Sequence, residues 1–274
     1  MSNAPGVPVG QTGPYPRNYA PDLLVPIARA ENRARLGLGA KLPFHGVDTW
    51  NAYELSWLDD GGKPTAAVGE FVVPAESPRL VESKSLKLYL NSLNQTRFAT
   101  LANVQQTIQT DLAAAAGSDV LVTLCPVVDL DVAPLDTLPG ICLDALDLAI
   151  SDYDVNPRLL RTTLNGGVRA EALYTHLFKS NCPVTGQPDW ASVLVRYRGP
   201  AMDHGGLLEY LISYRNCTAF HEDCVERIFV DLQRHCRPEA LTVYARYNRR
   251  GGLDINPFRS DFEEPLENLR LARQ

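Results

Sequence analysis

Gly186-Gln187-Pro188-Asp189-Trp190-Ala191 repeats, in altered form, the earlier Gly62-Lys63-Pro64-Thr65-Ala66-Ala67, and this pair of stretches decides the fold. In each, a turn punctuated by glycine and proline feeds an apolar strand. Ala67, Phe71 and Val73 line one face of the first strand as Ala191, Val195 and Tyr197 line one face of the second, the alternation that half-buried antiparallel strands require. Leu88–Phe98 then parallels Tyr210–Phe220, and a helix follows each time. Val104, Ile108 and Leu112 fall at helical spacing with a stop at Gly117, and Val225, Ile228, Phe229 and Leu232 do so with a stop at Pro238. An apolar strand succeeds each helix, Val120–Leu124 and Leu241–Tyr247. Each copy therefore holds at least strand, strand, helix, strand, and a further helix is expected around Glu171–Lys179. The fold class is α+β, with two modules of antiparallel sheet covered by helices.

The boundaries expected from this pattern are a flexible N-terminal tail over residues 1–22, one module over 23–150 and a second over 151–274. The first residues, Met1 to about Pro21, are rich in Gly, Pro and Asn and lack the basic and apolar regions of a signal peptide. No run of roughly 18 apolar residues suits a membrane span. A net charge of −6 and a pI near 5.4 offer no broad basic field to nucleic acid or to an anionic membrane. Six cysteines in 274 residues are too sparse for a disulfide-stapled secreted scaffold. They read as reduced thiols of a cytoplasmic protein. Gly37-Leu38-Gly39 has Leu42 at the third glycine position of a dinucleotide fingerprint and no strand and helix framing it, so a Rossmann domain is not expected.

The two copies differ where chemistry is concentrated. Ser180-Asn181-Cys182-Pro183-Val184-Thr185-Gly186-Gln187-Pro188-Asp189-Trp190 holds a thiol and a carboxylate on one restricted turn. That pairing suits a nucleophile with a proton donor, while a small buried cysteine and a turn-capping aspartate are the alternatives. The position answering Cys182 in the first copy lies near Leu58, which is no thiol. Conversely the first copy carries Glu82-Ser83-Lys84-Ser85-Leu86-Lys87-Leu88-Tyr89, whose lysine pattern is missing from Met202–Tyr210. One site built from both halves accounts for this split, as does drift after duplication.

Four segments, Glu82 to Tyr89, Ser180 to Trp190, Phe220-His221-Glu222-Asp223-Cys224 and Arg249-Arg250-Gly251-Gly252-Leu253-Asp254-Ile255-Asn256-Pro257, together closely resemble the NADPH-dependent 7-cyano-7-deazaguanine reductases of queuosine biosynthesis in their long, two-module form. The resemblance runs from about Leu42-Pro43-Phe44-His45-Gly46 to Arg273-Gln274. It implies tandem tunnelling-fold modules whose sheets close into a barrel in a homodimer, with ligands at the seams between modules. It also implies reduction of a nitrile to a primary amine, 7-aminomethyl-7-deazaguanine, with two hydrides from NADPH and a thioimide on Cys182. Asp189 matches the family's proton donor, and His221 a histidine close to the nitrile. Glu82 and Glu222 match carboxylates that accept the adjacent N–H donors of the deazaguanine ring, with Ser83 touching ligand. The resemblance implies cofactor contacts within Glu82 to Tyr89, Ser83, Lys84 and Lys87 among them, and at Arg250 and Gly251. Lys84, Lys87, Arg249 and Arg250 are the local cations an acidic chain needs for the cofactor's phosphates, a solvated charge pair beside a hairpin turn being the alternative. The implied partner is the small-molecule substrate, with neither nucleic acid nor membrane bound and no metal in the site.

Cys224 shares the short run of His221 and Glu222, and a reversible disulfide with Cys182 is one use for it, a buried apolar thiol the other. Two rival functions remain at this level. A zinc-dependent cyclohydrolase of the same fold would take Cys182, His221 and Cys224 as ligands, although no strong metal-binding spacing occurs. A purine- or pterin-binding module without activity is the other, against which an intact Cys182 and Asp189 argue.

Overall fold

The computed structural model describes residues 18–131 and 135–274. After a short strand β1 (Pro26–Ala28) and helix α1 (Arg29–Arg35), the first copy runs β2 (His45–Leu58), β3 (Pro64–Pro74), β4 (Arg79–Val81), α2 (Ser83–Ser92), α3 (Leu101–Ala116) and β5 (Leu121–Pro126). A connection carrying the two-residue strand β6 (Ile141–Cys142) leads to the second copy. That copy comprises β7 (Val168–Asn181), β8 (Pro188–Pro200), α4 (His204–Ile212), α5 (His221–Cys236), β9 (Ala240–Tyr247) and β10 (Leu253–Ser260). Eight strands form one sheet in the order β5-β3-β2-β10-β9-β8-β7-β6, and every pair is antiparallel except β6 with β7. The expected α+β architecture of tandem tunnelling-fold modules, antiparallel strands with helices packed on one face, is thus observed.

The duplication is legible at the level of backbone detail. Each long hairpin carries one register shift at the same place, between Ala52 and Leu55 in β2 and between Thr175 and Phe178 in β7. Leu58 bridges Arg97 in parallel as Asn181 bridges Thr218. Glu82 and Asp203 cap α2 and α4 in the same way, each accepting from the N–H groups two and three residues on. The apolar residues predicted for the two helices are buried under them, and the chain leaves α3 and α5 in the left-handed region at Gly117 (φ 72°) and Arg237 (φ 50°).

Each copy has its own core on the helix face. Trp50, Phe71, Leu86, Val104, Ile108 and Val122 belong to the first, and Phe178, Val195, Leu207, Val225, Phe229 and Val243 to the second. Leu253 and Ile255 of β10 pack into the first core although β10 follows β9 of the second copy, so β10 stitches the two together. On the opposite face Leu194, Tyr244 and Phe258 are covered by Leu138 and Leu271.

Two expectations change. Glu171–Lys179 is not a helix but the middle of strand β7, paired with β8 along its length. Leu173, Leu177 and Phe178 sit at helical spacing only because the register shift inserts one extra residue into the strand and moves the buried position from odd to even numbers. Residues 1–17 of the expected tail lie outside the described residues. At residues 18–22, by contrast, the chain is docked: Tyr19 Oη donates to Asp111 Oδ2 at 2.7 Å, and Pro21–Leu23 form a single 3-10 turn.

Candidate active site

The β7–β8 turn holds Cys182 through two backbone bonds, Cys182 N to Gln187 O and Gly186 N to Cys182 O, both 2.9 Å. Gly186 takes φ 69° there, which few other residues adopt without strain. Asp189 stands one strand position beyond the turn, where it pairs with Ser180 across the hairpin. The turn therefore fixes the thiol and the carboxylate relative to each other, and both are buried.

Three further elements close on this pair. The N-terminus of α5 brings His221 and Glu222, the start of α2 brings Ser83, and the β9–β10 turn brings Arg250. With Val81, Pro183, Ala219, Phe220 and Ile255 they line one pocket around Cys182 and Asp189. Asp189 is held on both oxygens, by Arg250 Nη2 at 2.9 Å on Oδ1 and by His221 Nε2 at 3.2 Å on Oδ2. Arg250 also donates to Gln187 Oε1 at 2.6 Å and to Thr185 Oγ1 at 3.3 Å, which pins it across the mouth of the turn. The His221 ring stacks on Tyr247 at 3.7 Å between centroids, and its buried Nδ1 has no partner among the described residues. Such an orphaned ring nitrogen is a ready contact for a ligand polar group.

Burial alone pushes the Cys182 thiol up, but hydrogen bonds from the Thr185 side chain, from Arg250 and from the Thr185 and Val184 backbone outweigh it and hold the thiol below its ordinary value. A thiol so placed is readily made nucleophilic. Glu222 behaves oppositely: burial, reinforced by the Asp48 carboxylate, raises it to about 8. A group with a raised folded-state value contributes stability that is fully present below its unfolded value near 4.5 and lost as pH rises through about 8. Glu222→Gln is therefore expected to be more stable than the parent at pH 8, by about 1–3 kcal/mol, with the gap closing toward pH 5. Urea unfolding at the two pH values checks this.

Not every predicted residue reaches the pocket. Glu82 lies beside Ser83, but its carboxylate caps α2, accepting from Lys84 N at 2.8 Å and Ser85 N at 2.7 Å. Lys87 is half-buried against Gly251, whose φ of 61° lets the turn pass close over it. Burial and Arg250 lower the Lys87 ammonium, partly offset by Glu82, Cys182 and Asp189, which ties it electrostatically to the site. Lys84 is exposed and Arg249 turns away onto the Tyr53 ring, 4.9 Å from its centroid. Cys224 is engaged by Cys217 through a thiol–thiol hydrogen bond that lowers Cys217 to about 7, and Cys182, Cys217 and Cys224 are all free thiols. Cys182, His221 and Cys224 do not gather as a metal-ligand set among the described residues, which removes the support for the zinc cyclohydrolase reading.

Beneath the pocket lies a buried ion network that the sequence does not announce. Arg259 of β10 donates to Asp48 at 2.8 Å and Glu226 at 2.9 Å, Arg29 pairs with Asp48 at 2.5 Å, and Arg33 with Glu226 at 2.7 Å. Two members of the network also act on Glu222, Asp48 raising it and Arg29 lowering it.

Among the described residues no helix is long and apolar enough to cross a membrane. Two family descriptions match this chain: "Nitrile reductase, 7-cyano-7-deazaguanine-reductase N-term" over residues 15–124 and "QueF-like protein" over residues 188–265. The first match begins well before Leu42, where the resemblance read from the sequence starts. Among solved structures, the apo crystal structure of the archaeosine synthase QueF-Like is similar at 16% identity and a TM-score of 0.31, over 36% of this chain and 97% of that one. With the two matches falling in order, one on each copy of the duplicated unit, the chain belongs to the 7-cyano-7-deazaguanine nitrile reductase family in its two-module form.

Proposed function

We propose that this pocket reduces the nitrile of 7-cyano-7-deazaguanine to 7-aminomethyl-7-deazaguanine with NADPH, through a thioimide on Cys182, in the biosynthesis of queuosine for tRNA modification. The observation that carries this reading is the juxtaposition of a thiol held below its ordinary value with a buried carboxylate fixed between Arg250 and His221. In the first step the Asp189 carboxylate takes the Cys182 thiol proton, the sulfur attacks the nitrile carbon, and Asp189 passes that proton to the nitrile nitrogen, so that the S–H bond and one carbon–nitrogen π bond are exchanged for a carbon–sulfur and an N–H bond. NADPH supplies the hydride for each of two reductions. After the first, expulsion of the Cys182 thiolate leaves an imine, and the second completes the amine. His221, whose Nε2 is on Asp189 and whose buried Nδ1 has no partner among the described residues, orients the carboxylate for this transfer.

Glu222 is the carboxyl that reads the purine-like edge. Raised to about 8, it accepts ring N–H donors at its carbonyl oxygen or, once ionised by their approach, at both oxygens. Glu82 contributes the lone pairs left over from capping α2, with Ser83 between it and the pocket. Lys87, Arg250 and the backbone at Gly251 suit the cofactor's phosphates, because they are the cationic and open-backbone groups at the pocket mouth. Lys84, exposed, and Arg249, now on the Tyr53 ring, would serve as the remaining cofactor contacts only after turning toward the pocket. The pocket leaves about 10 Å³ of free space with Arg250 on Asp189, room for about one water, so substrate entry requires Arg250 to leave the carboxylate.

The two cores support division into modules at 23–150 and 151–274, with Leu143 reaching across to the second core. A second copy completing the barrel would cover the free edge of β5, where Leu121 is exposed, with Val128 of the 3-10 turn just after it, so a homodimer is expected by light scattering. A thiol nucleophile suits a reducing compartment such as the cytoplasm.

Asp189→Asn tests the proton-donor role. Retained substrate binding with turnover down about 10²–10⁴-fold is the expected result, read from NADPH oxidation with 7-cyano-7-deazaguanine. Turnover within a few-fold of the parent would remove Asp189 from the chemistry.

A further inference from the structure

We infer that Cys142, Asp144 and His176 form a zinc site, remote from the Cys182 pocket, that clips the connection between the two modules to strand β7. One ligand atom from each of the three side chains lies within 4.8 Å of the other two. Around a tetrahedral zinc ion with bonds of 2.0–2.3 Å, neighbouring ligand atoms sit about 3.5 Å apart. The observed spread is within about 1.3 Å of that value.

The backbone explains why these three meet. Strand β6 runs parallel to β7, with Cys142 opposite Tyr174, and Leu143 N donates to Tyr174 O at 2.8 Å. Two residues further along both chains, Asp144 faces His176, whose backbone N–H donates to both carboxylate oxygens at 3.1 and 3.2 Å. Cys142 ends β6 and Asp144 lies in the turn that follows it, and their ligand atoms come within 4.8 Å of each other and of one from His176.

The surroundings are those of a ligand set already oriented. His176 Nδ1 is bonded to Ser192 Oγ at 2.7 Å, and Ser192 is itself buried and receives Arg273 Nη2 at 3.0 Å. With Nδ1 so occupied, Nε2 is the nitrogen left to bind metal, the arrangement by which outer contacts fix the tautomer of a ligating histidine. Asp144 Oδ1 is anchored by the buried Thr175 hydroxyl at 2.5 Å, which leaves Oδ2 the freer oxygen. No lysine or arginine pairs directly with Asp144 among the described residues; the nearby cation is Arg273, which interacts with it electrostatically while donating to His176 O and Ser192 Oγ. A thiolate and a carboxylate beside a neutral imidazole carry two negative charges, which a divalent ion balances. Sulfur and imidazole together select zinc over magnesium or calcium. Cys142 and His176 are exposed, so the fourth position is open to water.

The placement gives the site a purpose. Between Pro126 at the end of β5 and Val168 at the start of β7, regular structure among the described residues is limited to two 3-10 turns and the two residues of β6. Pairing over two residues is a weak tie for so long a connection, and a metal bond across it holds the connection against β7.

The test uses the full chain, stripped with chelator and titrated with Zn²⁺ alone, then with Co²⁺ as a spectroscopic probe. One equivalent of zinc per chain is expected, with affinity weaker by about 100-fold or more in Cys142→Ser and in His176→Gln. The cobalt–thiolate absorption should vanish in Cys142→Ser and persist in Cys182→Ala and Cys217→Ser. Zinc should also slow proteolysis between residues 127 and 167 in the parent but not in Cys142→Ser. Circular dichroism of the metal-free variants matching the metal-free parent shows that the loss is of ligands, not of fold. No zinc uptake by the parent, or uptake unchanged in both variants, overturns the proposal. Nitrile reduction is unaffected by either result, so the site stands or falls apart from the reaction proposed for Cys182.

Discussion

Cys182→Ala is expected to lose both turnover and the covalent adduct that intact-mass measurement should detect when the parent is mixed with 7-cyano-7-deazaguanine in the absence of NADPH. A nitrile carbon is a poor hydride acceptor until it carries a better-polarised bond, and the thioimide supplies one. Removing the sulfur leaves the substrate edge contacts of Glu222 and the cofactor contacts intact, so binding should survive while the rate falls about 10⁴-fold or more, equivalent to about 5 kcal/mol of barrier. Calorimetric titration of substrate into the variant separates the two effects. An adduct that persists in Cys182→Ala would move the covalent role to another thiol, with Cys217 the first to examine because hydrogen bonding from Cys224 lowers it to about 7. A parent that binds substrate tightly but neither forms adduct nor oxidises NADPH would instead favour the binding-module reading.

How much of this was legible in the sequence follows from the range of the interactions involved. Cys182 and Asp189 sit on one short hairpin, so glycine and proline punctuation was enough to place them together. His221 and Glu222 open a helix whose apolar spacing was plain, which put both at its N-terminus. The strand β7 was misread because its register shift breaks the alternation on which strand reading depends. Glu82 was identified as a site carboxylate on resemblance, yet its capping of α2 is the purely local role that an acid before Ser-Lys-Ser also fits. Least legible were the contacts made across the fold. The ring of Tyr247 under His221, and the meeting of Arg29, Arg33, Asp48, Glu226 and Arg259, join residues that are far apart in sequence and individually look like strand or surface polar positions.

That network is where the largest loss of stability is expected. Arg259 is fully buried and bonds Asp48 of β2 and Glu226 of α5, one from each copy, while β10 itself lies between β2 and β9 in the single sheet. Asp48 and Glu226 are both held below the usual carboxylate range: burial pushes each up, and the surrounding guanidinium groups, Arg259 foremost, outweigh it. Arg259→Met removes the shared cation and leaves two buried carboxylates that Arg29 and Arg33 only partly balance, a change expected to cost about 3–5 kcal/mol at pH 7. Acids with depressed folded-state values contribute stability above their unfolded values, near 3.8 and 4.5, and lose it as pH falls through the folded values. In the variant these acids protonate more readily, so its deficit should shrink as the pH is taken from 7 toward 4. Urea unfolding of parent and variant across that range reads the trend directly. A deficit of a few tenths of a kcal/mol, or one constant with pH, would mean that packing and not charge holds β10 between the copies. Because Asp48 is also the charge that raises Glu222, the same substitution should strengthen that repulsion and weaken substrate binding without touching the thiol. The network would then link the seam between the modules to recognition in the pocket above it.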